Sequence, residues 1–145
     1  MSRKREARGV VLLPSLSAGS DESNAKKRIL IAEDDDAIGT MVAKILEVRY
    51  EVHRCRSGTE ALAVADRVKP QLALLDVMMP GLAGYTTAQR LKLLPGLKNI
   101  AIVFLTAKSG PMDVVKGIQS GARFYVSKPF KMDELMTKVR KALGE

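Results

Sequence analysis

Ile29-Leu30-Ile31-Ala32-Glu33-Asp34-Asp35-Asp36 is the stretch from which the fold reads outward. Four apolar residues in succession suit a short parallel strand buried on both faces, whereas strict alternation would suit a half-exposed one. Four acids follow at once, and Ile38, Met41, Val42, Ile45 and Leu46 then recur at helical spacing. Asp35 or Asp36 can cap that helix, and Asp36 is read as a cap rather than a ligand. The stretch is therefore a strand, an acidic loop and a helix.

The same alternation repeats downstream. Tyr50 to Cys55 reads as a second strand, and Ser57-Gly58-Thr59-Glu60 is a capping-box sequence opening a helix that Pro70 closes. Leu72-Ala73-Leu74-Leu75 is another buried strand, a shorter helix covers about 83–93, and Ile100 to Leu105 is a fourth strand. Pro111 suits the first turn of a helix through Ser120, which Gly121 stops. Arg123 to Ser127 is a fifth strand and Met132 to Leu143 a last helix, with Leu135, Val139 and Leu143 on one face. The pattern is (βα)5: an α/β fold, doubly wound, with helices on both faces of a parallel five-stranded sheet.

Upstream of Lys27 the periodicity stops. Residues 1–26 read as a disordered basic N-terminal extension, with the linker composition of Ser15 to Asn24, and residues 27–145 as one domain. Val10-Val11-Leu12-Leu13 is cut short by Pro14 and is not read as a signal peptide.

Composition excludes several functions. The 145 residues suit about one domain. Aromatics are 4% with no Trp, which argues against a stacking platform for single-stranded nucleic acid. No apolar run is long enough for a spanning helix, and the single Cys55 suits a reducing, cytoplasmic compartment. The net charge of +8 permits an anionic partner.

In open parallel sheets, ligands bind beyond the carboxyl ends of the strands, at a switch point. Glu33, Asp34, Asp35 and Asp36 follow the first strand, Asp76 the third, Thr106 the fourth and Lys128 the fifth. Packing does not require these residue types there. Carboxylates from two neighbouring strands would repel one another and need a cation. Oxygen-only ligands with few carboxylates favour Mg²⁺, and Lys128 supplies a second positive charge.

This set resembles the receiver domain of two-component response regulators. The matching stretches are Ile29 to Asp35, Leu74-Leu75-Asp76-Val77-Met78-Met79-Pro80-Gly81, Phe104-Leu105-Thr106-Ala107 and Tyr125-Val126-Ser127-Lys128-Pro129-Phe130. The resemblance covers about residues 27–145 and implies a flavodoxin-like receiver fold with strand order 2-1-3-4-5. It implies Asp76 as the phosphoacceptor, attacking the phosphohistidine of a sensor histidine kinase or histidine phosphotransfer protein. It implies Mg²⁺ held by Glu33, Asp34, Asp76 and the backbone carbonyl of Met78, with Lys128 and Thr106 contacting phosphoryl oxygens. It implies a switch in which Thr106 moves toward the phosphoryl group and Tyr125 turns inward. The surface of the fourth helix, fifth strand and fifth helix would then change for an unknown downstream protein target. Lys128-Pro129 is often cis in such domains.

Departures carry their own expectations. Glu33 stands where many relatives have Asp, and Ala83 removes a cap for the third helix. Met78 cannot orient an attacking water and Lys108 adds charge, so slow autodephosphorylation is expected.

No output segment is read after Leu143, so a stand-alone, chemotaxis-receiver-like phosphorelay protein is expected. Lys108, Lys116, Arg123, Lys131, Lys138, Arg140 and Lys141 gather toward its output side and suit an acidic target. Three other readings fit less well. A haloacid-dehalogenase-like phosphatase would need an acid where Met78 stands. A phosphate-independent interaction module would not need the full set of site residues. A nucleic-acid binder has only the basic tail to use, so specific DNA binding is not expected.

Overall fold

The computed structural model describes residues 25–107 and 110–145. Five strands and five helices alternate: β1 (Arg28–Ala32), α1 (Asp36–Glu47), β2 (Glu51–Cys55), α2 (Gly58–Val68), β3 (Leu72–Leu75), α3 (Gly84–Leu91), β4 (Ala101–Thr106), α4 (Pro111–Gln119), β5 (Phe124–Ser127) and α5 (Met132–Ala142). The strands form one parallel sheet in the order β2-β1-β3-β4-β5. The chain leaves β1 for β2 on one side and returns to β3 on the other. The switch point therefore lies between β1 and β3.

The uninterrupted apolar runs follow from burial on both faces. Leu30, Ala32, Ala73, Leu75, Ile102 and Phe104 point to one side, where Ala61 and Ala65 of α2 and Ala88 and Leu91 of α3 close over them. Ile29, Ile31, Leu72, Leu74, Val103 and Leu105 point to the other, against Val42 and Leu46 of α1 and Leu135 and Val139 of α5. Each large aliphatic side chain buried in this way contributes about 1.5–3 kcal/mol. Cys55 is a buried packing residue whose thiol burial pushes up to about 11, which leaves it unreactive.

The helix ends refine the sequence reading. Asp35 is the N-cap of α1, its carboxylate accepting from the Ile38 amide at 2.9 Å, so Asp36 is the first helical residue and not the cap. Ser57 caps α2 as expected, but the capping box is half made: Glu60 accepts from the Arg56 amide at 2.8 Å rather than from Ser57. Ala83 gives α3 no side-chain cap, and Gly121 (φ +90°) stops α4. The expectations for residues 1–24 and for Lys108 lie outside the described residues.

Among the described residues, no helix is long and apolar enough to cross a membrane.

Candidate functional site

Register brings the strand-end residues together. Ala32 pairs with Leu75 across β1 and β3, so Glu33 and Asp76 emerge side by side. The ladder runs one step beyond each strand: the Asp76 amide donates to the Ala32 carbonyl at 3.0 Å and the Glu33 amide to Cys55 at 3.1 Å. On the other flank, Thr106 pairs with Ser127, and the Lys128 amide donates to the Thr106 carbonyl at 2.9 Å. Three adjacent strands and a fourth at the edge thus deliver the residues to one crevice.

The side chains form a compact charged cluster. Glu33 is 2% exposed, Asp76 7% and Thr106 1%, whereas Asp34 is exposed at the mouth. Lys128 Nζ donates to Glu33 Oε1 at 2.7 Å and to Asp76 Oδ2 at 2.9 Å. The second oxygen of each acid is also used: the Asp35 amide donates to Glu33 Oε2 and the Met78 amide to Asp76 Oδ1, both at 3.1 Å. Asp76 is therefore fixed in orientation by one ammonium and one backbone amide.

Electrostatics follow from this geometry. Burial raises the Glu33 carboxyl above the usual range, with the Asp76 charge adding to it and the Lys128 contact opposing it. For Lys128 burial disfavours charge, yet its hydrogen bonds to Glu33 and Asp76 outweigh burial and hold the ammonium above its ordinary value. Lys128 stays charged and offsets part of the acid repulsion.

Glu33, Asp34 and Asp76 each offer a carboxylate oxygen, and those oxygens lie within 4.8 Å of one another. An oxygen-only set open to solvent on one side fits a small hard divalent cation that retains several waters, as Mg²⁺ does. The residues present fit that ion. Met78, in the loop after Asp76, is 61% exposed and meets the site through its backbone amide, which donates to Asp76 Oδ1.

A second cluster lies behind Thr106. Phe104, two residues earlier on β4, packs edge-on against Tyr85 (centroids 5.1 Å, 77°) and tilted against Tyr125 (5.8 Å, 54°). The hydroxyls of Tyr85 and Tyr125 are hydrogen-bonded at 3.2 Å, and Tyr85 also donates to the Asp113 carbonyl at 3.0 Å. Burial and the Tyr85 contact push the Tyr125 phenol above its ordinary value. Gly117 of α4 leaves room for the ring, since a Cβ there would come within 2.7 Å of Tyr125 Cδ2. Sequence reasoning singled out Tyr125 but missed Tyr85 and Gly117; forty residues separate the two tyrosines, and no local pattern links them.

Gly84 is a further omission. It opens α3, its amide donating to the Val77 carbonyl at 2.9 Å, and a Cβ there would strike the Asp76 carbonyl and lie 2.8 Å from Val77 Cα. Both obstacles are backbone and cannot swing away. Gly84→Ala is expected to destabilise the protein by about 2–3 kcal/mol, although alanine is the better helix former. A urea midpoint equal to that of the unsubstituted protein would contradict this.

Of the basic residues expected on the output side, several are occupied. Lys116 lies 5.2 Å over the Tyr85 ring, Lys138 lies 5.7 Å over Phe124, and Arg123 Nη1 donates to the Ala142 carbonyl at 3.1 Å. The Lys128–Pro129 peptide is cis.

Comparison with known proteins places these features in a family. The response regulator receiver domain model matches residues 29–140. The DNA-binding dual master transcriptional regulator RpaA of Synechocystis sp. is 38% identical over 117 residues, 80% of this chain and 48% of that protein. The chain thus spans about half the length of this relative. Chemotaxis protein CheY4 of Vibrio cholerae superposes with a TM-score of 0.78 at 28% identity, covering 81% of this chain and 99% of CheY4. The receiver domain of the sensor histidine kinase PA1611 from Pseudomonas aeruginosa PAO1 has a TM-score of 0.76 at 28% identity, covering 83% and 100%, and has a magnesium ion coordinated in its active-site cleft.

Proposed function

The chain belongs to the response-regulator receiver family, and on that premise we propose that it accepts a phosphoryl group on Asp76 from a phosphohistidine of a kinase or phosphotransfer protein. The observation that carries this reading is the position of Asp76: a buried carboxylate at the switch point, with Lys128 on one oxygen and two further acids beside it.

An Asp76 oxygen attacks phosphorus, forming a P–O bond as the P–N bond breaks. The bonding electrons stay with the imidazole nitrogen, which takes up a proton, and an aspartyl phosphate results. Glu33, Asp34, Asp76 and the Met78 carbonyl would hold Mg²⁺, which offsets charge on the phosphoryl oxygens when bound. Lys128 moves its hydrogen bonding from the carboxylates to a phosphoryl oxygen, and the Thr106 hydroxyl donates to another.

The output follows from what lies behind Thr106. Its shift toward the phosphoryl group disturbs the packing of Phe104, Tyr85 and Tyr125, and Tyr125 turns inward as the α4–β5–α5 surface changes. Exposed Met112, Val115 and Ile118 recur along α4 and give that surface an apolar stripe for a protein target. Exposed Lys131 and Lys141, at the two ends of α5, add positive charge and favour an acidic one, whereas Arg140 faces Glu145 on the α1 side. Between α1 and α5, exposed Met41, Val48 and Met132 line a groove that begins at Asp36, next to the acids, where a donor protein can dock. A cytoplasmic site of action and a signal passed by protein contact rather than by specific DNA binding complete the reading.

Incubation with acetyl phosphate and Mg²⁺ tests the premise: a mass gain of one phosphoryl group is expected, and a chelator should abolish it. No gain with either acetyl phosphate or a phosphorylated histidine phosphotransfer protein would overturn the reading.

A further inference from the structure

We infer that Arg54, on β2, is a positioning residue that sets the Mg²⁺ affinity of the site by clamping the loop that carries Glu33 and Asp34; the inference rests on the Mg²⁺ reading above. The loop between β1 and α1 holds four consecutive acids, which repel one another and would splay the backbone. Lys128 restrains the Glu33 side chain from within the crevice. On that side the Asp35 amide donates to Glu33 Oε2 at 3.1 Å, which leaves the loop carbonyls to be held from elsewhere.

Arg54 holds them from the other side. Its Nη2 faces the carbonyl oxygens of Glu33 and Asp35, each at 3.2 Å, and Asp36 Oδ1 at 3.4 Å. One guanidinium therefore brackets Asp34 by holding the carbonyls of both its neighbours. Arg56 Nε fixes Asp36 from outside at 2.8 Å, and these contacts hold the Asp36 carboxyl below its usual range.

Two observations indicate that this placement is imposed by the fold. The Arg54 side chain is only 16% exposed, and its Nε is buried without a hydrogen-bond partner, an unfavourable state for a charged group that needs an explanation. Gly39 of α1 is the residue that admits it, because a Cβ there would collide with Nε, Cζ and Nη2. A glycine inside α1 and an unsatisfied Nε are both unfavourable locally, and both serve to hold this guanidinium against the loop.

The sign of the effect separates positioning from simple charge. Arg54 is a cation near a cation site, so if charge alone mattered its removal would tighten Mg²⁺ binding. Positioning demands the reverse. Arg54→Lys keeps the charge, but its shorter stem carries no planar guanidinium and its ammonium falls short of the two loop carbonyls that Nη2 reaches. Outer partners of metal ligands change affinity by 10- to 100-fold on mutation, and a loss of about tenfold is expected for Arg54→Lys and for Arg54→Gln. Gly39→Ala, which displaces the guanidinium, should weaken binding similarly alone and add nothing in the Arg54→Gln background.

The test is calorimetric titration of each variant with Mg²⁺ at fixed ionic strength, with thermal melts confirming that each is folded at the titration temperature. Weaker binding in all three single variants, non-additive in the double variant, supports the inference. Wild-type affinity in Arg54→Lys, or tighter binding in Arg54→Gln, overturns it alone. A wild-type protein that binds no Mg²⁺ overturns the metal reading as well.

Discussion

Replacing Lys128 with methionine is expected to lower the stability of the metal-free protein by about 2–4 kcal/mol and to slow phosphoryl uptake by roughly 10²–10³-fold. The first effect comes from the pair it leaves behind. Glu33 and Asp76 are both buried, and the ammonium at 2.7 and 2.9 Å is the cation between them. Without it two adjacent carboxylates face each other in a low-dielectric crevice, and one must take up a proton or the crevice must open. Methionine fills much of the lysine stem's volume, so the loss reports charge rather than a cavity.

Saturating Mg²⁺ should restore much of the stability, because a divalent cation between the same acids replaces the missing charge. It should not restore the rate, because the contact from Lys128 to a phosphoryl oxygen develops only as that oxygen arrives. Thermal melts in chelator and in Mg²⁺, beside uptake rates from acetyl phosphate, separate the two. A variant that melts with the wild-type protein in chelator would contradict the bridging role of Lys128.

The elements legible in the sequence are those whose environment leaves a one-dimensional trace. A parallel strand covered on both faces must be apolar at every position, so Ile29–Ala32 and Leu72–Leu75 stand out. Polar residues at the carboxyl ends of the strands have no packing reason to be there, which makes Glu33, Asp76, Thr106 and Lys128 legible. β2 is an edge strand, and its Arg54 reads as one more polar residue among Glu51 and His53. Its role depends on a loop twenty residues away and on a glycine in another element. The same holds for Gly84 beneath Asp76 and for Tyr85 beside Tyr125. These contacts are set by tertiary placement, and no periodicity encodes them. Asp36 was misread for a different reason: two adjacent aspartates are both competent caps, and only the backbone conformation at Asp35 decides between them.

The second large effect concerns Asp76, the proposed nucleophile. Four acids besides Asp76 stand at or near the crevice: Glu33, Asp34, Asp35 and Asp36. Glu33 has one oxygen on Lys128 and one on a backbone amide, as Asp76 does, but it is the more deeply buried. Asp34 and Asp35 are exposed, and Asp35 is engaged as the cap of α1. Asp36 is held by Arg56 and Arg54. Glu33 and Asp76 share a fixed orientation and the Lys128 ammonium at the switch point, and of the two Asp76 is the less buried and so the more open to a phosphoryl donor. Asp76→Asn keeps the shape and the acceptor for the Met78 amide but removes the nucleophile, so uptake should vanish while the fold persists.

The most direct measurement locates the phosphoryl group. The protein is loaded from acetyl phosphate in Mg²⁺ and its acyl phosphate is reduced with borohydride. The modified residue is then identified by peptide mass spectrometry beside Asp76→Asn. The account predicts modification at Asp76 alone and none in the variant. Modification at Asp34 or Asp35, or undiminished uptake by Asp76→Asn, would contradict it.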